Sequence, residues 1–241
     1  MTTATPTPLY HQIKEDLLDA IKGGRLAPGD QIPTELELMA RFGVSRATVR
    51  QALGQLVSEG YLEIRRGLGT FVAPPKIEQG LIGFYSFSRE IERMGMRPGT
   101  RVLALTREHA TQSVASALCL QTGDPVVALR RLRLADDEPL IVETSYLPAE
   151  RFPGLEHRDF DQHRLYDILT IEYGTRPARA REEFEPVLMS SEDAALLNKR
   201  PGDPALLLER TTFDAQGGPI EFCRSIVRGD RTRYFVELRE L

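Results

Sequence analysis

Between residues 33 and 72 the apolar positions form two helical repeats followed by two short alternating runs. In the second repeat Val49, Ala52, Leu53, Leu56 and Val57 recur at i, i+3, i+4, i+7 and i+8, one stripe of an amphipathic helix that must face a core. That stripe leaves Arg46, Ala47, Thr48, Arg50 and Gln51 off the buried face. Upstream, Thr34 and Glu37 have the Thr-x-x-Glu spacing of a capping box, and Pro33 holds the backbone before them extended, which predicts a helix start. Gly43 stops that helix and Ser45 caps the next. Gly60 ends the second helix, Tyr61 to Arg65 and Thr70 to Val72 alternate as strands, and Arg66-Gly67-Leu68-Gly69 makes the turn. Before all this, residues 8–22 predict a helix with Pro8 at its start, Ile13, Leu17 and Ile21 on one stripe, and Gly23-Gly24 as its stop.

Two helices, a tight turn and a glycine-tipped hairpin are the layout of a winged helix-turn-helix. In that layout the exposed start of the second helix meets base edges and phosphates, and a basic residue at the hairpin tip can enter a minor groove. The alternative is a small helical subdomain with a hairpin and no nucleic-acid role. The run PLYHQI, then PGDQIPTELELMARFGVSRATVRQAL, then EGYL and RRGLGTFV, resembles the N-terminal domain of GntR-family transcription regulators over roughly residues 8–73. The resemblance implies DNA contacts at Arg46, Thr48 and Arg50 in the recognition helix and at Arg66 and Gly67 in the wing, and a DNA-binding role for Thr34, Glu35 and Ser45 at the helix starts. Leu36 stands where many members carry an arginine and Ala47 where some carry a hydroxyl, so base preference is not transferred from any one relative.

Past the wing, Ala73-Pro74-Pro75-Lys76 has the composition of an extended linker, since consecutive prolines favour polyproline II. The division read from the sequence is a DNA-binding domain over 1–73, a linker over 74–79 and a second domain over 80–241. That second domain contains a duplication. SVASALCLQTGDPVVALRRLRLADDEPLIVETS and EDAALLNKRPGDPALLLERTTFDAQGGPIEFCRS share the order helix, Gly-Asp-Pro, apolar strand with an arginine, polar turn and second strand. Two helix-plus-hairpin units predict one antiparallel sheet. Further strands are expected at Arg101 to His109, Arg176 to Met189 and Tyr234 to Leu238, with helices near Phe87 to Met94 and Leu165 to Tyr173. The class is α+β.

Composition changes this picture in three places. The net charge of −4 speaks against nucleic acid, but residues 1–76 hold nine Lys and Arg against eight Asp and Glu, so the acid excess lies in the second domain. DNA binding then rests on where Arg46, Arg50, Arg65 and Arg66 project. Cys119 and Cys223 are isolated, without a CxxC or a His/Cys cluster, which points to reduced thiols packed in a core and to no structural zinc. MTTATPTP has neither a charged leader nor an apolar run, and no stretch is apolar enough to span a membrane, so a cytoplasmic protein without a membrane partner is expected.

In VVALRRLRLA, strand alternation places Arg131 and Arg133 on the face of Val127 and Leu129. Two arginines on a mostly apolar face call for an anion, supplied either by a ligand or by an ion-pair partner. Glu143 on the partner strand could be that partner, or could accept hydrogen bonds from ligand hydroxyls or amines. Ser86 and Ser88 open the helix after Gly83, as caps or as part of an anion site at a helix start. SFSREIERMG, the R-x-R strand, PLIVETSYLP, LYDIL and PIEFCRS followed by RGDR resemble the effector-binding (UTRA) domain of the HutC branch of the same family over about residues 80–240.

What this second resemblance implies is a dimer, a fold similar to chorismate lyase, and a pocket for a small molecule such as a phosphorylated sugar or another anion. Its lining would be Phe87, Ser88, Arg131, Arg133, Glu143, Arg164, Tyr166, Arg176 and Glu221. Many relatives carry a serine before the Leu-Tyr pair where this chain has His163-Arg164, so a sugar phosphate need not fit in the same way. The function expected is a homodimeric regulator, a repressor, that binds double-stranded operator DNA under control of a small metabolite. A chorismate lyase-like enzyme is the alternative, but the chain has no GxSxG, HExxH or phosphate-binding glycine loop, and no cofactor is called for. A ligand-free architectural DNA-binding protein would leave the Arg131/Arg133 face unexplained.

Overall fold

The computed structural model describes residues 8–74, 76–80 and 87–237. The chain divides into two compact units, Met1–Ile77 and Glu78–Leu241. In the first, α1 (Leu9–Lys22), α2 (Glu35–Phe42) and α3 (Arg46–Ser58) are followed by a hairpin of β1 (Leu62–Arg65) and β2 (Gly69–Val72). Ile13, Leu17, Leu38, Val49, Ala52, Leu56, Leu62 and Val72 interlock in one buried cluster that includes the predicted stripes of α1 and α3. The stop at Gly43 uses a left-handed backbone, φ 64, which only glycine adopts without strain.

Ile77 opens β3 (Ile77–Gly80), which pairs with a late strand, so a strand takes up the end of the stretch read as linker. Ile77 is an apolar residue that is almost wholly buried, and the partner strand of β3 lies far along the chain. The second unit continues through α4 (Phe87–Arg93), β4 (Pro98–His109), α5 (Gln112–Leu118), β5 (Pro125–Ala135) and β6 (Glu138–Pro148). After a short 3-10 turn come α6 (Leu165–Tyr173), β7 (Arg179–Leu188), α7 (Ser191–Leu196), β8 (Pro204–Phe213), β9 (Pro219–Arg228) and β10 (Thr232–Phe235), the partner of β3. β7 starts three residues later than expected because Pro177 lacks an N–H to enter the ladder. Leu238, the expected end of β10, lies outside the described residues, as do Gly83 and Ser86.

The main sheet is antiparallel in the order β4-β5-β6-β9-β8-β7, so the two predicted units meet at β6 and β9. The duplication extends to backbone detail. Thr111 and Ser190 cap α5 and α7, Cys119 and Asn198 share a left-handed φ of 55, and Asp124 and Asp203 accept from Gln121 N–H and Arg200 N–H at 2.8 and 3.1 Å. Each such pair lies 79 residues apart. Cys119 therefore ends a helix and is exposed, contrary to the core role expected of it: it falls past the buried stripe of Val114, Ala115 and Leu118. Cys223 is buried.

Candidate DNA face and candidate ligand cavity

The start of α2 is fixed by both halves of the capping box. Thr34 Oγ1 accepts from Glu37 N–H at 3.3 Å, and the Glu37 carboxylate accepts from Thr34 N–H at 2.7 Å. Those bonds to Thr34 hold the exposed Glu37 carboxyl below its ordinary pKa. Ser45 Oγ accepts from Thr48 N–H at 3.3 Å and starts α3. Because α3 begins at Arg46, Arg46 and Arg50 lie one turn apart on the same exposed face. Both meet one carboxylate, which the sequence did not reveal: Glu35 Oε2 lies 2.6 Å from Arg46 Nε and Oε1 lies 3.3 Å from Arg50 Nε.

At the hairpin tip Arg66 and Gly67 are exposed, with Gly67 at φ 77, and Leu68 beside them is exposed as well. Gln31 Nε2 donates to Leu68 O at 3.1 Å and lies so close to Gly69 that an added Cβ would come within 2.5 Å of it. Arg65 does not project with Arg66. Its guanidinium is 2.7 Å from Glu63 and 4.4 Å from the Phe71 ring centre, so the wing's outward cation is Arg66.

The second unit holds a cavity of about 650 Å³ on one face of the main sheet, roofed in part by α6. All nine expected residues line it: Phe87, Ser88, Arg131, Arg133, Glu143, Arg164, Tyr166, Arg176 and Glu221. Arg131 and Arg133 converge on one oxygen of Glu143, at 2.6 and 2.9 Å. Burial pushes the Glu143 carboxyl up, but the charges of Arg131 and Arg133 outweigh it and hold the group at about 2. Arg133 also donates to Thr100 Oγ1 at 2.7 Å and lies 5.8 Å from the Phe87 ring centre. Arg131 donates to Ser145 Oγ at 3.2 Å, while its Nε is buried with no hydrogen-bond partner among the described residues.

Across the cavity Glu221 accepts from Tyr166 at 2.5 Å and from Thr212 at 3.3 Å. Burial, and then the Glu221 charge, push the Tyr166 hydroxyl well above its ordinary value, which keeps it a donor. Arg164 pairs with Glu92 at 3.0 Å. Ser88 sits inside the first turn of α4, which starts at Phe87, so it does not cap that helix as expected. The sequence reading did not reach the rest of the lining, which includes Thr100, Arg210, Cys223 and Ser225. Arg210 had a signal, since it stands 79 residues after Arg131 in the second copy. Cys223 forms part of the wall; burial, with Glu143 and Glu221 nearby, pushes its thiol up to about 12, so it remains a neutral thiol.

A winged helix-turn-helix with outward arginines, followed by a separate α+β unit around a charged cavity, defines a ligand-responsive DNA-binding protein. The sequence matches the bacterial regulatory proteins of the gntR family over residues 9–72 and the UTRA domain over residues 93–233. The HTH-type transcriptional repressor NagR of Bacillus subtilis is 40% identical over 94% of this chain and 93% of its own length. The histidine utilization repressor of Klebsiella aerogenes is 32% identical over 95% of this chain and 94% of its own. Among solved structures, PhnF from Mycobacterium smegmatis superposes with a TM-score of 0.67 at 32% identity, covering 96% of this chain and 99% of that one.

The chain belongs to the GntR family and carries a UTRA domain; it is a DNA-binding transcription regulator of the repressor type. Repressors of this kind bind operator DNA and, through the UTRA domain, a small-molecule effector. The names of its relatives point to a regulator rather than a lyase. No helix of the described residues is long and apolar enough to cross a membrane.

Proposed function

We propose that this chain acts in the cytoplasm as a homodimeric repressor on a two-fold operator and that an anionic metabolite in the cavity sets its DNA affinity. The observation that carries the reading is the buried Arg131 Nε, without a hydrogen-bond partner among the described residues, on an arginine that shares the single Glu143 carboxylate with Arg133. A ligand acceptor at that Nε would replace the hydrogen bond it lacks, which otherwise costs about 1–3 kcal/mol. Glu221, Tyr166 and Glu143 offer acceptors and a donor to hydroxyl or amino groups, so a ligand anionic at one end and hydrogen-bonding at the other fits the wall. Phe87, Ser88, Arg164 and Arg176 complete the effector site. Thr34, Glu35, Ser45, Arg46, Thr48, Arg50, Arg66 and Gly67 form the DNA face. Residues 1–73 would constitute the reading domain, 74–79 the connection and 80–241 the effector and dimer domain.

Relatives named as repressors of histidine utilization and of a mannosyl-D-glycerate transport and metabolism system are, by those names, tied to unlike systems, so the proposed effector class rests on this cavity alone. The test is a thermal-shift screen of anionic metabolites, followed by operator titration with the hit. A ligand at a hundred times its Kd should stabilise the protein by roughly 2.7 kcal/mol and change operator affinity by about 5–150-fold. The double variant Arg131→Ala/Arg133→Ala should lose the response and, at a temperature where circular dichroism shows its second unit still folded, keep effector-free operator binding. A double variant that still responds with wild-type effector affinity places the anion elsewhere. Light scattering should give a dimer at micromolar concentration; a monomer that binds a half-site as tightly as the full site contradicts the two-fold reading.

A further inference from the structure

Glu35 sits where its charge opposes DNA binding, at the mouth of the recognition helix between the two arginines expected to meet the duplex. We propose that Glu35 is a positioning residue: it holds Arg46 and Arg50 in register for base reading and at the same time penalises contact with DNA of the wrong sequence. The inference rests on the reading that this unit binds DNA. Three features support it. The carboxylate is divided, one oxygen to each arginine, Oε2 to Arg46 and Oε1 to Arg50, so a single side chain orients both. In each case the nearest approach is through Nε, whereas bidentate reading of a guanine edge uses the terminal Nη pair of an arginine. Glu35 is the first residue of α2, whose start is pinned by the Thr34/Glu37 box, so the carboxylate is presented from a fixed backbone.

The arginine side chains themselves are largely exposed, 66% and 71%, and would otherwise sample many rotamers. Ordering them before binding removes part of the entropy lost when the complex forms. The negative charge acts in the other direction on any duplex that offers only phosphates. There, the binding free energy comes from cations releasing counterions, and Glu35 offsets part of the positive charge that Arg46 and Arg50 bring. Specific DNA recovers that loss through base contacts and random DNA does not.

The experiment uses the full-length chain, a duplex enriched from a random library by the wild type, and a random-sequence duplex of the same length. Glu35→Ala should weaken binding to the enriched duplex roughly tenfold and strengthen binding to the random one. Glu35→Gln, which keeps one acceptor oxygen, should fall between. In an Arg46→Ala/Arg50→Ala background, Glu35→Ala should weaken the enriched duplex no further, because its effect passes through those arginines. A loss that persists at full size in that background means that Glu35 touches a base itself, and strengthened binding to both duplexes means that it acts by charge alone; either result overturns the proposal. A wild type that enriches no sequence overturns the DNA reading and this proposal together.

Discussion

Each unit of this protein contains two arginines held by one glutamate, and the two triads differ in how the carboxylate is shared and, above all, in their surroundings. On α3 the arginines are four residues apart, Arg46 and Arg50, with 66% and 71% of their side chains exposed around Glu35. On β5 they are two residues apart, Arg131 and Arg133, with 4% and 15% exposed around Glu143. Both spacings put two side chains on one face, by the period of the helix in one case and of the strand in the other. Water decides the rest. At 4 Å, unit charges interact by about 1 kcal/mol in water and by about 4 kcal/mol near a protein's effective dielectric, and removing one partner of a buried set strands the others. The exposed triad is thus open to a duplex, whereas the buried one is part of what keeps its sheet folded.

The largest expected effect comes from taking the carboxylate out of the buried triad. Glu143→Ala should destabilise the second unit by about 3–5 kcal/mol, because two buried guanidiniums lose their counter-charge. Urea unfolding followed through that unit measures it, and a loss under 1 kcal/mol would erase the distinction between the triads. Titration with acid probes the same group without mutation. The folded-state pKa of Glu143 is depressed to about 2 from 4.5, so its stabilisation is fully present above the ordinary glutamate value and is lost as the pH falls from 4.5 towards 2. The acid limb of stability in that window should flatten in Glu143→Gln; an unchanged limb would assign it to other carboxylates, such as Asp230, where burial opposes but the Arg228 hydrogen bond holds the group at about 2.

Next in size is Arg50→Ala, which should cost about 1–3 kcal/mol of operator binding if Arg50 reads a base, while leaving the melting temperature nearly unchanged. Fluorescence anisotropy across a salt series gives both affinity and slope. Smallest is Glu35→Ala measured as stability, where an exposed pair contributes about 0.2–1 kcal/mol. A calorimetric loss beyond 2 kcal/mol would show that the exposed triad is structural after all.

The reading unit was almost wholly legible in the sequence because its signals are local: Thr34 with Glu37, the stop at Gly43, the cap at Ser45 and the stripe from Val49 to Leu56 all act within a few residues. The second unit's duplication was legible for the same reason, through Gly-Asp-Pro and the strands around it. What escaped depends on contacts between distant segments. The pairing of β3 with β10, the meeting of Glu35 with α3, and the place of Thr100 and Ser225 in the cavity wall are set by tertiary approach, which leaves no spacing in the sequence. Arg210 lies between these cases, since the repeat marked it but its own strand, PALLLERTTF, gave no reason to choose it. Cys119 misled because an isolated cysteine reads as a core residue, while here the end of a helix decides where it goes.

The duplicated sheet has a consequence for how a guest would lie in it. The halves meet across β6 and β9, where Ser145 faces Cys223 and Glu143 faces Ser225. A chamber made from two identical halves would present the same walls from either end, so an elongated guest could enter in two equivalent orientations. Arg131 and Arg210 still mirror each other as such halves would. Around them the likeness has been lost: Arg133 is answered by Thr212, Ile141 by Glu221 and Glu143 by Cys223. These three mismatches give the chamber a head and a tail, and with them a single sense in which a polar molecule can be held.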